Sequence, residues 1–224
     1  MQRAWLWRHP YRYGQLFALL LALPSAGFAA EPMTVTVDGI AATGQISKRH
    51  AACIPTIDGK STPGENIRPA IRWSAGPEAT RSYAVIVTDA DVPADLSIAN
   101  QEDLLIAEDM PRQVFHHWVL FNISPTVNEI PGVPYPPGFG RMGANDVARD
   151  KVSYSGPCPP WNDAQVHRYA FTVYALDVPR LPGLGEGAMP NDVVELTEKH
   201  AIARGEQVGT YTLNPDLGAK AAAD

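Results

Sequence analysis

Four short clusters of reactive side chains punctuate the sequence. Asp89-Ala90-Asp91-Val92-Pro93 closes one apolar run, His116-His117 opens a second, and His167-Arg168 opens a third. A proline-rich segment, Gly156-Pro157-Cys158-Pro159-Pro160, lies between the last two. Imidazole and carboxylate together can bind an anion, ligate a metal or act as an acid–base pair. Singly, each signal is weak. A histidine entering a strand is more often a satisfied structural residue than a ligand, and Asp-x-Asp at a strand end is often turn chemistry. No His-x-x-x-His pair and no strong nucleophile motif accompanies them.

The elements that must position these clusters are short strands. Residues 33–37 alternate and are β-branched. Residues 71–73 form a second candidate, and residues 83–88 are apolar almost throughout, as a strand covered on both faces should be. Residues 118–123 and 169–176 are two further strands. Between the second and third clusters the composition turns to Gly, Pro and Asn, so residues 131–160 are expected as an extended surface loop. The polar, acidic stretch 94–113 is long for a hairpin and is read as a rim insertion holding a short helical piece. Near the C-terminus, Pro190-Asn191-Asp192 starts a helix whose Val193, Leu196, Thr197, His200 and Ala201 share a face, with Gly205 as its stop. Residues 207–213 return as a last strand, and the tail 219–224 is expected to fray.

The N-terminus reads as an address. Arg3, Arg8 and Arg12 precede an apolar run over residues 16–23, then Pro24-Ser25-Ala26-Gly27-Phe28-Ala29-Ala30, which is the order of a secretory signal peptide. Cleavage after Ala29 leaves small Gly27 and Ala29 at the positions export peptidases read. Residues 1–29 are therefore the leader and residues 30–224 a single domain, periplasmic or secreted, with no transmembrane segment. Without the leader, 15 basic and 24 acidic residues remain, a net charge of −9. No Lys/Arg run exists to hold a polyanion, which argues against nucleic acid as a partner. The only cysteines, Cys53 and Cys158, meet an oxidising compartment after export and are expected to form a disulfide.

Taken together and in this order, the clusters resemble the phosphatidylethanolamine-binding protein family, specifically its bacterial Raf kinase inhibitor-like branch. The family's Asp-Pro-Asp-Ala-Pro signature and following His-Trp strand correspond to Asp89 to Pro93 and to His117-Trp118. Its Gly-x-x-Pro-Pro loop and His-Arg-Tyr strand correspond to Gly156 to Pro160 and to His167-Arg168-Tyr169. Gly143-Ala144-Asn145-Asp146 is similar to the family's approach to that loop. Three departures stand out: Ala90 replaces the motif's first proline, the 94–113 insertion is longer than in small bacterial members, and residues 54–64 lack the usual compact glycine-rich form.

The resemblance implies a mostly β, two-sheet antiparallel sandwich with one or two short helices near the C-terminus. It also implies a pocket at one end for a small phosphate-like or carboxylate anion, lined by Asp89, His117, Gly156, Pro159, Pro160, His167 and Tyr169, with no cofactor, metal or catalytic residue. Asp89 is expected to orient and charge one imidazole, which then donates to the anion, while Asp91 caps its turn. The role is binding, with regulation left open. The family's eukaryotic members engage protein partners, a role that pocket residues alone do not transfer. The competing reading is a metal-dependent or acid–base hydrolase using His117, His167 and Asp89.

Overall fold

A computed structural model of the protein describes residues 32–132, 138–147 and 152–221. The leader expected over 1–29, and the start of the mature chain at Ala30, lie outside them. Among the described residues there are ten strands: β1 (Val35–Val37), β2 (Cys53–Pro55), β3 (Ser61–Pro63), β4 (Ile71–Trp73), β5 (Ser82–Pro93), β6 (Arg112–Ile123), β7 (Glu129–Ile130), β8 (Arg141–Met142), β9 (His167–Leu176) and β10 (Ala201–Tyr211). Helix α1 (Pro190–His200) precedes β10 and α2 (Pro215–Ala221) follows it.

Two antiparallel sheets make the sandwich. One has the order β10-β9-β5-β6-β8 and the other β1-β4-β7, with β2-β3 as a separate ribbon. The main core lies between them, where Val85, Val87, Trp118, Leu120, Phe171 and Val173 meet Val37, Ile71, Trp73 and Ile130. The outer face of the large sheet is also covered. Ala84, Val119, Phe121 and Leu176 pack with Leu181 and with Val193 of α1, which explains why β5 and β6 read as continuous apolar runs rather than alternating ones. Fully burying one such side chain contributes about 1.5–3 kcal/mol.

Two expectations are corrected. Gly205 does not stop α1, which ends at His200. The chain turns directly into β10, because Ala201 pairs with Leu176, and Gly205 sits mid-strand, where an added Cβ would stand 2.0 Å from the Met33 carbonyl oxygen. Residues 131–160 are not a surface loop throughout. β8 pairs with β6, and residues 154–157 are buried against residues 50–53. The chain continues after β10 as α2 to Ala221, and residues 222–224, the end of the tail expected to fray, lie outside the description. The 94–113 stretch does hold its short helical piece, a 3-10 turn at Leu96–Ile98 capped by Asp95, whose carboxylate accepts from the Ser97 N–H at 2.9 Å.

Candidate functional site

Strand periodicity carries three polar residues to one place. On β5 and β9 the odd-numbered side chains from Val85 to Val87 and from Phe171 to Ala175 face the main core. Continuing that face to the end of the sheet places Asp89, His167 and Tyr169 on the core side. Asp89 pairs in register with both Tyr169 and Phe115. His117 arrives by another device. β6 shifts register between Trp118, opposite Val87, and His116, opposite Thr88, so His117 is an extra residue in a bulge. The bulge changes the phase of the strand and lets His117 join this face while Trp118 stays in the core. His116 is left apart, with its Nδ1 2.7 Å from the Asp146 carboxylate.

The loop after residue 154 closes the site. The Ser155 N–H donates to the His117 carbonyl at 2.9 Å, and His117 Nδ1 donates back to the Ser155 carbonyl at 2.8 Å. Gly156 fits only as glycine, since an added Cβ would lie 2.0 Å from the His50 carbonyl oxygen. Its N–H donates to Asn66 at 2.7 Å. The Ala52 and Cys53 N–H groups donate to the Pro157 carbonyl, and the Cys53–Cys158 disulfide fixes the same junction with its Cα atoms 4.8 Å apart. Pro159 and Pro160 follow as buried, donor-free wall.

These elements enclose a cavity of about 160 Å³. Six of the seven expected residues line it: Asp89, His117, Pro159, Pro160, His167 and Tyr169. Gly156 does not; it supports the wall from behind. Sequence reasoning did not name Cys158, Phe115 and Val92 as lining, nor Leu96, Ala99 and Asn100. The last three belong to the insertion, which is therefore a wall of the cavity and not only its rim.

The electrostatics centre on His167. Its Nδ1 lies 2.7 Å from Asp89 Oδ2 and its Nε2 3.1 Å from Asp163 Oδ2, all three side chains being at most 2 % exposed. Burial opposes a charge on this ring, but the hydrogen bonds and charges of Asp163 and Asp89 outweigh it and push its pKa to about 9. His167 is thus an imidazolium held between two carboxylates, with no N–H left for a ligand. This corrects the expectation that the imidazole charged by Asp89 donates to the anion. Asp163 in turn receives a bidentate Arg112 guanidinium at 2.6 and 3.1 Å. Despite burial, its hydrogen bonds to His167 and Arg112 hold its pKa below the usual range. Asp163 was absent from the sequence reading, although its i,i+4 spacing from His167 was the available signal.

Asp91 faces away from the cavity. Its Oδ2 accepts from the Arg168 N–H and Nε, and its Oδ1 from Arg168 Nη2 and Gln165 Nε2. The turn cap is Asp89, whose Oδ1 accepts from the Asp91 N–H at 2.8 Å. His117 is pushed below the ordinary histidine pKa by burial, against the pull of Asp89. The Tyr169 pKa is raised by burial and by the neighbouring Asp89 carboxylate, so the hydroxyl stays protonated; Asp89 and the Cys158 backbone are close to it, but no well-aligned hydrogen bond satisfies it. Among the described residues no group of three or more His, Cys, Asp or Glu is arranged to hold a metal ion.

Comparison with known proteins agrees with this architecture. A sequence model of the phosphatidylethanolamine-binding protein family matches residues 40–212. A UPF0098 protein of Methanothermobacter thermautotrophicus is 34% identical over 152 residues, covering 66% of this chain and 84% of its own. One from Chlamydia muridarum is 37% identical over 152 residues, covering 67% and 86%. Two crystal structures are similar. Escherichia coli YbcL, described as a new member of the mammalian family, has a TM-score of 0.63 and 26% identity, covering 81% of this chain and 99% of its own. CT736 of Chlamydia trachomatis, described as a homologue of the same family, has a TM-score of 0.59 and 29% identity, covering 80% and 97%.

Proposed function

Because this chain belongs to the phosphatidylethanolamine-binding protein family, we propose that it is an exported binding protein whose cavity takes a small phosphate-like or carboxylate group. One observation carries this reading. A buried Tyr169 hydroxyl that no well-aligned hydrogen bond satisfies and the unengaged Nε2 of His117 share a partly open cavity with an Asp89 whose charge His167 already balances. A buried hydroxyl left without a partner costs on the order of 1–3 kcal/mol, which a ligand oxygen would recover.

The dimensions support a head group rather than a large cofactor. At about 160 Å³ the cavity is well below the roughly 300–1,000 Å³ of sites that enclose drug-sized ligands. Export is supported by the leader-like residues 1–29 and by a disulfide of the kind that persists in oxidising compartments.

Titration calorimetry with inorganic phosphate, phosphoethanolamine and acetate tests the binding reading. His117→Ala and Tyr169→Phe are each expected to weaken binding about ten- to a hundred-fold, the worth of one hydrogen bond to a charged group. Hydrolysis of phosphate esters or peptides by the parent protein, abolished by His117→Ala while binding persists, would replace this reading with an enzymatic one.

A further inference from the structure

Hydrogen-bond accounting in the cavity leaves an unusual set of free groups. The two ring nitrogens of His167 are used by Asp89 and Asp163. Asp89 accepts from the Asp91 N–H on one oxygen and from His167 on the other. His117 spends its Nδ1–H on the Ser155 carbonyl, so in the neutral ring the free nitrogen, Nε2, is a lone pair. The prolines supply no N–H, and the insertion contributes only the neutral side chains of Leu96, Ala99 and Asn100. Apart from the Asn100 amide of the insertion, whose Oδ1 is taken by the Trp161 N–H, the side chains therefore offer one donor, the Tyr169 hydroxyl, and one acceptor, His117 Nε2. A fully ionised anion would set its oxygen against that lone pair, with the Asp89 carboxylate alongside.

We propose that the site recognises its ligand together with one proton, held between a ligand oxygen and His117 Nε2, so that each binding event at neutral or higher pH takes one proton from solution. The proton is either the ligand's own acidic hydrogen, donated to Nε2, or resides on Nε2 and is donated to an ionised ligand; the count is the same. The complex formed from a monoanion, a proton and the empty site leaves the cavity charge unchanged. The charged and titratable groups facing His117 are Asp89 from β5 and His167 and Tyr169 from β9, with Asp163, Arg112 and Tyr154 beyond them. Asp89, His167, Asp163 and Arg112 form one closed ion-pair chain, and the two tyrosines are held protonated by burial. This leaves His117 as the carrier.

The inference rests on the anion-binding reading, and one experiment separates their failures. Acetate and sulfate, both ionised at pH 7.5, are titrated calorimetrically into the purified protein in buffers of different ionisation enthalpy. The expected result is uptake of about one proton per bound anion, with affinity falling about tenfold for each pH unit above the titration of the site. Binding with no proton uptake and a flat pH profile overturns the proton-linked site and leaves the anion pocket standing. Absence of binding by acetate, sulfate and phosphate sinks both. His117→Gln supplies an N–H donor without titrating, so uptake is expected to fall to near zero; uptake that persists overturns His117 as the carrier. If that variant does not fold, the ¹⁵N spectrum of the parent protein decides, since saturating sulfate should convert His117 to imidazolium. A neutral ring in the complex overturns the proposal.

Discussion

Arg112 grips Asp163 through both guanidinium arms, at 2.6 and 3.1 Å, and so ties the first residue of β6 to the loop after the pocket prolines. The pair is 12 and 1 % exposed. The same guanidinium donates to the carbonyls of Asp91 and Ala107. One side chain thus joins both ends of the insertion to the loop that presents Asp163 to His167.

Asp163→Asn removes a partner from two buried cations, Arg112 and His167. Breaking a buried pair by deleting one member costs about 3–5 kcal/mol. Urea unfolding is expected to show a loss of that size. Arg168→Ala provides the contrast, because Arg168 is 64 % exposed over its Asp91 partner. The loss there is expected to be smaller, about 1–3 kcal/mol, because the buried Asp91 keeps the Arg168 N–H and Gln165 as donors.

Stability should fall on the alkaline side. The folded pKa of His167, about 9, lies above the ordinary histidine value of 6.5. Its contribution is therefore complete below about pH 6.5 and lost as pH rises through 9, and it is worth about 3 kcal/mol by linkage. His117 acts in the opposite sense: with its folded pKa depressed, it favours the native state above pH 6.5 and opposes it as pH falls. Asp91 and Asp163, also depressed, add stability above their unfolded pKa that is lost on further acidification. Urea midpoints measured without ligand between pH 5 and 10 are expected to fall at both ends. A flat alkaline limb would show that His167 is not held charged.

Replacing both cysteines with serine opens a link between residues 105 apart in sequence. The chain-entropy model assigns such a loop at most about 4–5 kcal/mol. The variant is expected to unfold at lower urea and to bind phosphate more weakly, because Cys158 lines the cavity and adjoins Pro159. Equal affinity in the two proteins would show that the backbone bonds of Pro157 fix the loop unaided.

Gly156→Ala separates support from contact. The added methyl would collide with the His50 backbone, which has no flexible end to move aside. Overpacking of this kind costs about 1–3 kcal/mol or more. The loop is expected to shift and anion affinity to fall, although Gly156 does not touch the cavity; unchanged stability by thermal melting would contradict the close approach.

Much of the sandwich was legible because it rests on local pattern. The apolar run over 83–88 announced a strand covered on both sides, 118–123 read as a further strand, and odd-numbered periodicity is enough to put Asp89, His167 and Tyr169 on one face. The placement of His117 was not legible in that way, since a bulge breaks the alternation and pairing with Thr88 and Val87 is a matter of register. Gly205 misled for a related reason. A glycine after a helical pattern signals a stop, whereas this one answers to Met33, a residue distant in sequence. Asp163 and Arg112 were invisible as a pair because 51 residues separate them and only the folded insertion brings them together.

The insertion leaves and returns at the ends of adjacent paired strands, and its fastening is concentrated in few groups. Asn162 Nδ2 donates to the carbonyls of Ile98, Gln101 and Leu104, and Asn100 exchanges bonds with Trp161 and Asn162. The floor, by contrast, is woven into three neighbouring strands. The two parts are consequently separable in engineering terms. A different 94–111 segment can be grafted between β5 and β6 to reshape that wall of the cavity, while the floor carrying His117 and Tyr169 is inherited intact.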